Sequence, residues 1–446
     1  MERWSLLVKE SHAGDNTMPL NTFTLGLSFT DLPEFCGPDD LSDAIVSLRN
    51  SERSGRGSAW FAPISDDGVR RLIKLAFFTS LVAEEGRYPR FRMINTNAPE
   101  GSIWWAASFD TPISDVESLR RIAPVASATD SALFITERDG ALYCTGSMIV
   151  GDMGFSTKIG RPEIVGVGRP PSLTLRVDGP GRIRVSEGHY TIMLDGGRMR
   201  QVVDYRLVPQ VQELWNALAT QMVDSIAQIQ GEESRKYFGG FHALGEFIHK
   251  AWSCVLASAI DRGHGGAFIV LPTTGSPEEF DIRCKYPAQM QFGDDIREFW
   301  LNCVNYGQSK DDGEREQALH HWNWRRAAVF TKARILAGLS SVDGCVVVDR
   351  CLKVVGFGGE IRIDDGKLQA TPRTLRDKKT GGLLPEANVE QMGTRHRSAY
   401  RLAKTHPGII AFVISQDGDL RVFCSDEHDV FGFDRLHAWV HDHESK

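Results

Sequence analysis

Apolar positions along the chain repeat with two periods, and the alternation between them outlines the fold. Apolar residues three and four apart predict helices over Asp40–Asn50 and Asp66–Glu85, the second opening on two aspartates where the helix dipole favours acids. Strand-like runs follow at Phe91–Asn95, Ile103–Ser108, Leu133–Glu137 and Ala141–Met148, the last two joined by Arg138-Asp139-Gly140, a hairpin signal. From Gly151 to Asp195 glycine and proline punctuate short β-type runs such as Leu173–Val177 and Tyr190–Leu194, which predicts a β-rich segment. A long helical period covers Val208–Gln230, and the charged stretch after it reads as a hinge.

Beyond that hinge the periods alternate. A helix is expected over Phe241–Ile260, then Gly263-His264-Gly265-Gly266 and a buried-type strand Ala267–Leu271. Further strands are expected at Phe280–Lys285, Cys345–Val348, Leu352–Val355, Ile409–Ile414 and Leu420–Phe423. Helices are expected at Asp294–Asn305, Glu314–Leu339 and Thr394–Thr405, with a long polar segment over Arg362–Gln391. The expected fold class is α/β: a C-terminal domain, 236–446, with a mixed sheet flanked by helices, preceded by a mixed α+β domain, 1–235.

Composition narrows the classes. The chain has 446 residues, 41% hydrophobic and 24% charged, with a net charge of −7, so it is not a disordered chain or a globally basic nucleic-acid coat. No stretch approaches the roughly 18 consecutive apolar residues of a membrane span, and the N-terminal stretch lacks a signal-peptide core, which predicts a cytoplasmic protein. The 8 cysteines include no C-x-x-C pair, so reduced, mostly buried thiols are expected. His437, His441 and His443 lack a cysteine or acidic cage and read as a solvated tail.

One stretch breaks local rules. In Gly393-Thr394-Arg395-His396-Arg397-Ser398-Ala399, Thr394 is suited to cap the helix that follows, yet the first turn then carries cations, against the macrodipole. A helix start flanked by guanidiniums makes sense around an anion, and phosphate is the natural candidate. The alternative is a solvated basic helix start paired to acids elsewhere. Residues 371 to 406 hold eight Lys or Arg against three Asp or Glu, so the positive charge is local. Asp343-Gly344 stands at the mouth of a buried strand, where a carboxylate can hold Mg²⁺ or orient a hydroxyl, though Asp-Gly is first of all a turn dipeptide. Ser415-Gln416-Asp417-Gly418 has the same ambiguity, and His264 reads as a histidine satisfied within its glycine turn. P-loop, zincin and α/β-hydrolase motifs are absent.

Together, Asp343-Gly344, Thr394-Arg395-His396-Arg397 and Ser415-x-Asp417 resemble the D-G-A, R-H-R and S-E-E motifs of the DisA/CdaA-type diadenylate cyclase domain, over roughly Phe241 to Phe423. The first half resembles the N-terminal domain, of presumed sensory role, in multidomain members. The resemblance implies condensation of two ATP into cyclic di-AMP with release of two pyrophosphates, with Mg²⁺ or Mn²⁺, between two self-associated protomers. It implies that Asp343 orients the hydroxyl and binds metal, with Asp417 assisting; that Gly344, Cys345 and Phe357 line the nucleotide; that Thr394, Arg395, His396 and Arg397 cradle phosphates; and that Ser415 contacts the triphosphate. An unknown signal would act on the first half, with no membrane and no nucleic acid as partner. Cys345 stands where the family has alanine, and Gln416 and Asp417 where it has two glutamates. The competing reading is a catalytically silent nucleotide or cyclic-dinucleotide sensor on the same fold.

Overall fold

The computed structural model describes residues 35–56, 62–84, 86–96, 105–126, 131–149, 172–187, 190–238, 241–309, 311–371, 374–377, 389, 392–416 and 418–437. Its contacts divide the chain into two compact units, the first running to Gln201 and the second beginning at Val202. The division falls ahead of the charged stretch after Gln230, because the long helix before that stretch packs into the second unit's core.

In unit 1, helices α1 (Pro38–Arg56), α2 (Asp66–Ser80) and α3 (Val116–Ile122) accompany strands β1 (Phe91–Thr96), β2 (Trp105–Pro112), β3 (Ser131–Arg138), β4 (Ala141–Ile149), β5 (Ser172–Gly179), β6 (Arg182–Glu187), β7 (Tyr190–Asp195) and β8 (Arg198–Gln201). They form one sheet of order β2-β4-β3-β1-β5-β6-β7-β8, in which β1 and β3 run parallel and the other neighbours antiparallel. Alternate residues such as Leu175, Val185 and Ile192 share one core with Leu41, Leu72 and Ile73 of the helices. Helix α2 starts as expected, with Ser65 accepting a hydrogen bond from Gly68 N at 2.9 Å. It ends at Ser80 rather than Glu85, since acids oppose a helix C-terminus and Glu84 instead exchanges backbone hydrogen bonds with Arg87. Helix α3, unforeseen because it is short and polar, is held by a capping box between Asp115 and Ser118.

Unit 2 contains β9 (Val203–Asp204), α4 (Pro209–Gln230), α5 (Phe241–Asp261), β10 (Gly266–Val270), β11 (Ile282–Gln291), α6 (Phe292–Gln308), α7 (Asp312–Leu339), β12 (Cys345–Val348), β13 (Lys353–Ile361), α8 (Asp365–Ala370), β14 (Thr374–Asp377), α9 (Thr394–Thr405), β15 (Ile410–Ile414), β16 (Leu420–Ser425) and β17 (Asp429–His437). The sheet order is β11-β13-β12-β10-β15-β16-β17-β14, with β9 also on β17. Strand β10 runs parallel to β12 and antiparallel to β15. Strands β10, β12 and β15 are buried on both faces, so Phe268, Val346 and Phe412 join α4 to α7 in one core while Ala267, Val347 and Ala411 join α9 in another. Within the first core the Trp252 ring lies 5.6 Å from those of Trp215 and Phe412 and 5.9 Å from that of Phe268.

Several expectations change. Strand β11 continues through Pro287, which an edge strand tolerates because it need not donate there. Strand β13 runs on through the glycine-rich Gly356–Gly359, and the polar segment after it holds α8 and β14, the latter paired parallel to β17. His437 belongs to β17 rather than to a solvated tail, because that strand pairs with β16 and β9. His441 and His443 lie outside the described residues.

One buried ion pair ties the elements of unit 1. Arg49 Nε on α1 lies 3.1 Å from Glu187 Oε2 on β6, both side chains fully buried. Arg49 also donates to the carbonyls of Ala62 and Ile64, at 3.0 and 3.1 Å. Glu187 accepts from Ala62 N at 3.0 Å and Tyr190 OH at 2.9 Å. Removing one charge strands the other in the core, so Glu187→Gln should lower stability by about 3–5 kcal/mol, read from the midpoint of urea unfolding. An unchanged midpoint would refute this role.

Candidate functional site

Strand direction gathers the candidate residues. Because β10 and β12 are parallel, the turns before them, Gly263-His264-Gly265 and Ser341–Gly344, open on the same sheet edge. Strands β13 and β15 run the other way, so their C-terminal ends reach that edge too, with Cys345 opposite Gly359 and Gly266 opposite Ile414. Ser415 therefore follows β15 directly at the edge. Helix α9 packs through Ala399, Leu402 and Ala403 on the adjacent face, and its first turn reaches the same place. Arg395 Nη1 donates to His264 O at 3.3 Å, and Arg395 Nη2 lies 4.0 Å from Asp343 Oδ1.

Glycines make this approach possible. Gly265, at φ +65°, has no room for a side chain: a Cβ would stand 2.8 Å from Ile414 O, 3.1 Å from Arg395 Nη1 and 3.2 Å from Gln416 N. Gly344, at φ +116°, sits against β13, where a Cβ would meet the Gly358 carbonyl carbon at 2.6 Å. The Asp343 carboxylate beyond it is 96% exposed, so the 4.0 Å contact with Arg395 is a weak surface pair and the acid stays available to a ligand.

The start of α9 differs from expectation in one residue. Gly393, not Thr394, is the N-cap; it makes no side-chain hydrogen bond, and Thr394 is the first helical residue. A glycine takes the extended cap conformation freely, which shifts the helix start by one position. The Gly393 carbonyl accepts from His396 N at 3.0 Å and Arg397 N at 3.2 Å. With no acid in the first turn and no side-chain cap, the helix start keeps the character of an anion site.

Electrostatics set the state of His396. Burial, then the charges of Arg421 and Arg395, lower its pKa to about 4, with Asp419 acting in the opposite sense. Arg421, on β16 opposite Val413, donates to Met392 Sδ at 2.7 Å. It is a third guanidinium near the α9 start, and nothing in its sequence neighbourhood marks it, because only strand pairing brings it there. Ser415 forms a tight turn in which its N–H donates to Asp419 O at 2.9 Å and its Oγ accepts from Asp419 N at 3.0 Å.

Two expected nucleotide contacts lie elsewhere than at the surface of this cluster. Cys345 is buried in the α9-side core, where burial pushes its thiol up to about 12 and keeps it protonated. Its Sγ occupies the space over Gly359, 2.7 Å from where a Cβ would be. Phe357 packs toward the α4–α7 core and stacks on the half-exposed Tyr286, with centroids 5.0 Å apart and planes at 25°. Asp417 lies outside the described residues. Among the described residues no group of three or more His, Cys, Asp or Glu could hold a metal ion. A single exposed carboxylate fits Mg²⁺ held by one or two acids and completed by substrate phosphates.

Comparison with known proteins bears on the other unit. A family model described as "Probable sensor domain DACNV" matches residues 62–149, from the turn before α2 to the end of β4. That is the N-terminal sensor domain of diadenylate cyclase-type proteins, so unit 1 resembles a signal-input domain. No curated protein and no solved structure matches the chain. No helix among the described residues is long and apolar enough to cross a membrane.

The lowered His396 pKa has a signed consequence. The unfolded chain takes up the proton near pH 6.5 and the folded one near 4, so the contribution is fully present above about pH 6.5 and is lost as pH falls toward 4. His396→Gln should flatten the loss of stability between those values, and the wild-type ring should titrate near pH 4 by NMR. A ring titrating at 6.5 or above would contradict the burial and charge environment described.

Proposed function

We propose that unit 2 is a diadenylate cyclase that condenses two ATP into cyclic di-AMP and two pyrophosphates, regulated by unit 1. The observation that supports it most is the meeting at one sheet edge of an exposed carboxylate, a guanidinium that reaches toward it, and an anion-suited helix start. The sensor-domain match in unit 1 supports it independently, since that domain type accompanies diadenylate cyclases.

In this reaction the 3′-hydroxyl oxygen of one nucleotide bonds to the α-phosphorus of the other as the bond to pyrophosphate breaks, and the exchange occurs twice to close the ring. The hydroxyl proton is lost to a base or to solvent. The chain's task is positioning and charge balance. Asp343 accepts a hydrogen bond from the attacking hydroxyl. Thr394, Arg395 and Arg397 at the α9 start receive phosphate oxygens, with Ser415 beside them. His396, neutral at pH 7, adds no positive charge and offers a hydrogen-bonding ring nitrogen. Gly344 lets the nucleotide approach the backbone, while the buried Cys345 fills the space over Gly359. Mg²⁺ or Mn²⁺, held by Asp343 and Asp417, would supply neutralisation of the phosphates. Because each ATP is held by one protomer, activity requires two copies to face each other.

Incubation of the full chain with ATP and Mg²⁺ or Mn²⁺ should yield cyclic di-AMP by mass spectrometry. Asp343→Asn should lower the rate at least 100-fold while leaving ATP binding within a few-fold. Specific activity should fall on dilution as the protomers separate. ATP binding without product in the wild type under both metals would favour the silent sensor, and absence of nucleotide binding would remove the reading altogether.

A further inference from the structure

Helix α7 carries apolar side chains on the side where a surface helix is normally polar. Its buried residues, among them Trp322, Val329 and Ala333, line the face that packs against α5 and α6. Successive residues advance about 100° round a helix, so Gln317, Trp324, Ala328, Thr331 and Ile335 form a line on the opposite face. Trp324 is 61% exposed and Ile335 51%, among the most exposed large apolar side chains of the described residues. Ala328 and Thr331 between them are small enough for another helix to approach closely.

Charge along the same helix is divided by sign. Asp311, which caps it, and Asp312, Glu314 and Glu316 open the helix, with Arg315 the one cation in that stretch. From Gln317 to Leu339 there is no acid, and the cations Arg325, Arg326, Lys332 and Arg334 follow. Arg315 lies 3.7 Å from Asp312, Lys332 pairs with Asp295, and the Arg325 guanidinium lies 5.1 Å over the Trp324 ring. A parallel partner would set acid beside acid, whereas an antiparallel one sets each acidic opening beside the cationic half of the other helix. A two-fold axis near Trp324 brings Glu316 level with Lys332 and Glu314 level with Arg334, because each pair stands equally far from position 324. This balance depends on the sign of each half and asks no cation to leave its present partner.

We infer that the outer face of α7 is an interface for a second copy of this chain, the two helices antiparallel about a two-fold axis near Trp324. At 1.5 Å per residue the contact from Gly313 to Ile335 runs about 33 Å. A strip one helix wide falls short of the roughly 800 Å² per partner of a stable dimer, so the association is weak and concentration-dependent. The interface stands independently of the cyclase reading and differs from the face-to-face contact across the nucleotide, since this face of α7 is turned away from the core it shares with the sheet. Helix α7 runs directly into the Ser341–Gly344 turn, so a copy seated on it bears on the element that delivers Asp343 to the sheet edge.

The test is sedimentation equilibrium of the full chain without nucleotide or metal. The mass should rise from one copy toward two with concentration and fall back as salt is raised. Trp324→Ala, at an exposed position, should weaken the association about tenfold or more with an unchanged far-UV spectrum. Oxidative cross-linking fixes the direction. Gln317→Cys and Thr331→Cys should each fail to cross-link with themselves beyond the wild-type background, yet join to one another when mixed, because the two-fold axis sets 317 level with 331. A single copy at every concentration, a dimer that Trp324→Ala leaves unchanged, or self-linking of either cysteine variant would each overturn the proposal.

Discussion

The candidate site depends on one strand, β10, and on the directions of its two neighbours. Among the neighbours of β10, the parallel partner β12 brings the Asp343-Gly344 turn to the edge where the Gly265 turn lies, and the antiparallel partner β15 brings Ser415. Parallel pairing demands a long crossover, which α6 and α7 supply while burying Phe299 and Phe330 in the core. The helices that make the site's topology possible are thus also the ones that hold the sheet. Helix α9 covers the opposite face with small residues, Ala399 and Ala403 against Ala267 and Ala411, and that close seat lets Arg395 reach over the edge.

Charge is handled differently at three places. Arg49 and Glu187 are wholly buried and paired with each other, a contact that fixes α1 on its sheet. Asp343 and Arg395 meet in solvent at 4.0 Å, close enough to share a ligand and too weakly coupled to resist one. Arg176 on β5 and Arg184 on β6 are buried and share the carboxylate of Asp178. The first and third arrangements neutralise buried charge, and the second leaves a carboxylate and a guanidinium open to a ligand.

Much of this was legible in the sequence wherever apolar period and punctuation agreed. The helices over Phe241–Asp261 and Thr394–Thr405 and the strands Gly266–Val270, Cys345–Val348 and Ile410–Ile414 fall within a few residues of expectation, because each has a continuous apolar pattern between glycine turns. The motif residues Asp343, Arg395 and Ser415 were visible for the same reason. What escaped notice depended on partners distant in the chain. Gly358 and Gly359 lie beyond the expected strand Leu352–Val355, yet they extend β13 because Cys284 and Cys345 flank Gly359 on both sides and one sulfur fills its vacant side-chain space. Arg421 and the register of Arg92 with Arg176 and Arg184 exist only once strands are paired. Thr394 lost the cap position to Gly393, since local preference ranks residue types and not the path of the incoming chain.

In the proposed function, Asp343, the α9 start and the Ser415 turn form one nucleotide site. A crystal structure of the full chain with a non-hydrolysable ATP analogue and Mg²⁺ tests it most directly. Phosphates are expected between the α9 N-terminus and Ser415, with the ribose hydroxyls directed toward Asp343. An analogue bound away from this edge, or a crystal soaked to saturation with the edge unchanged and no nucleotide there, would contradict it.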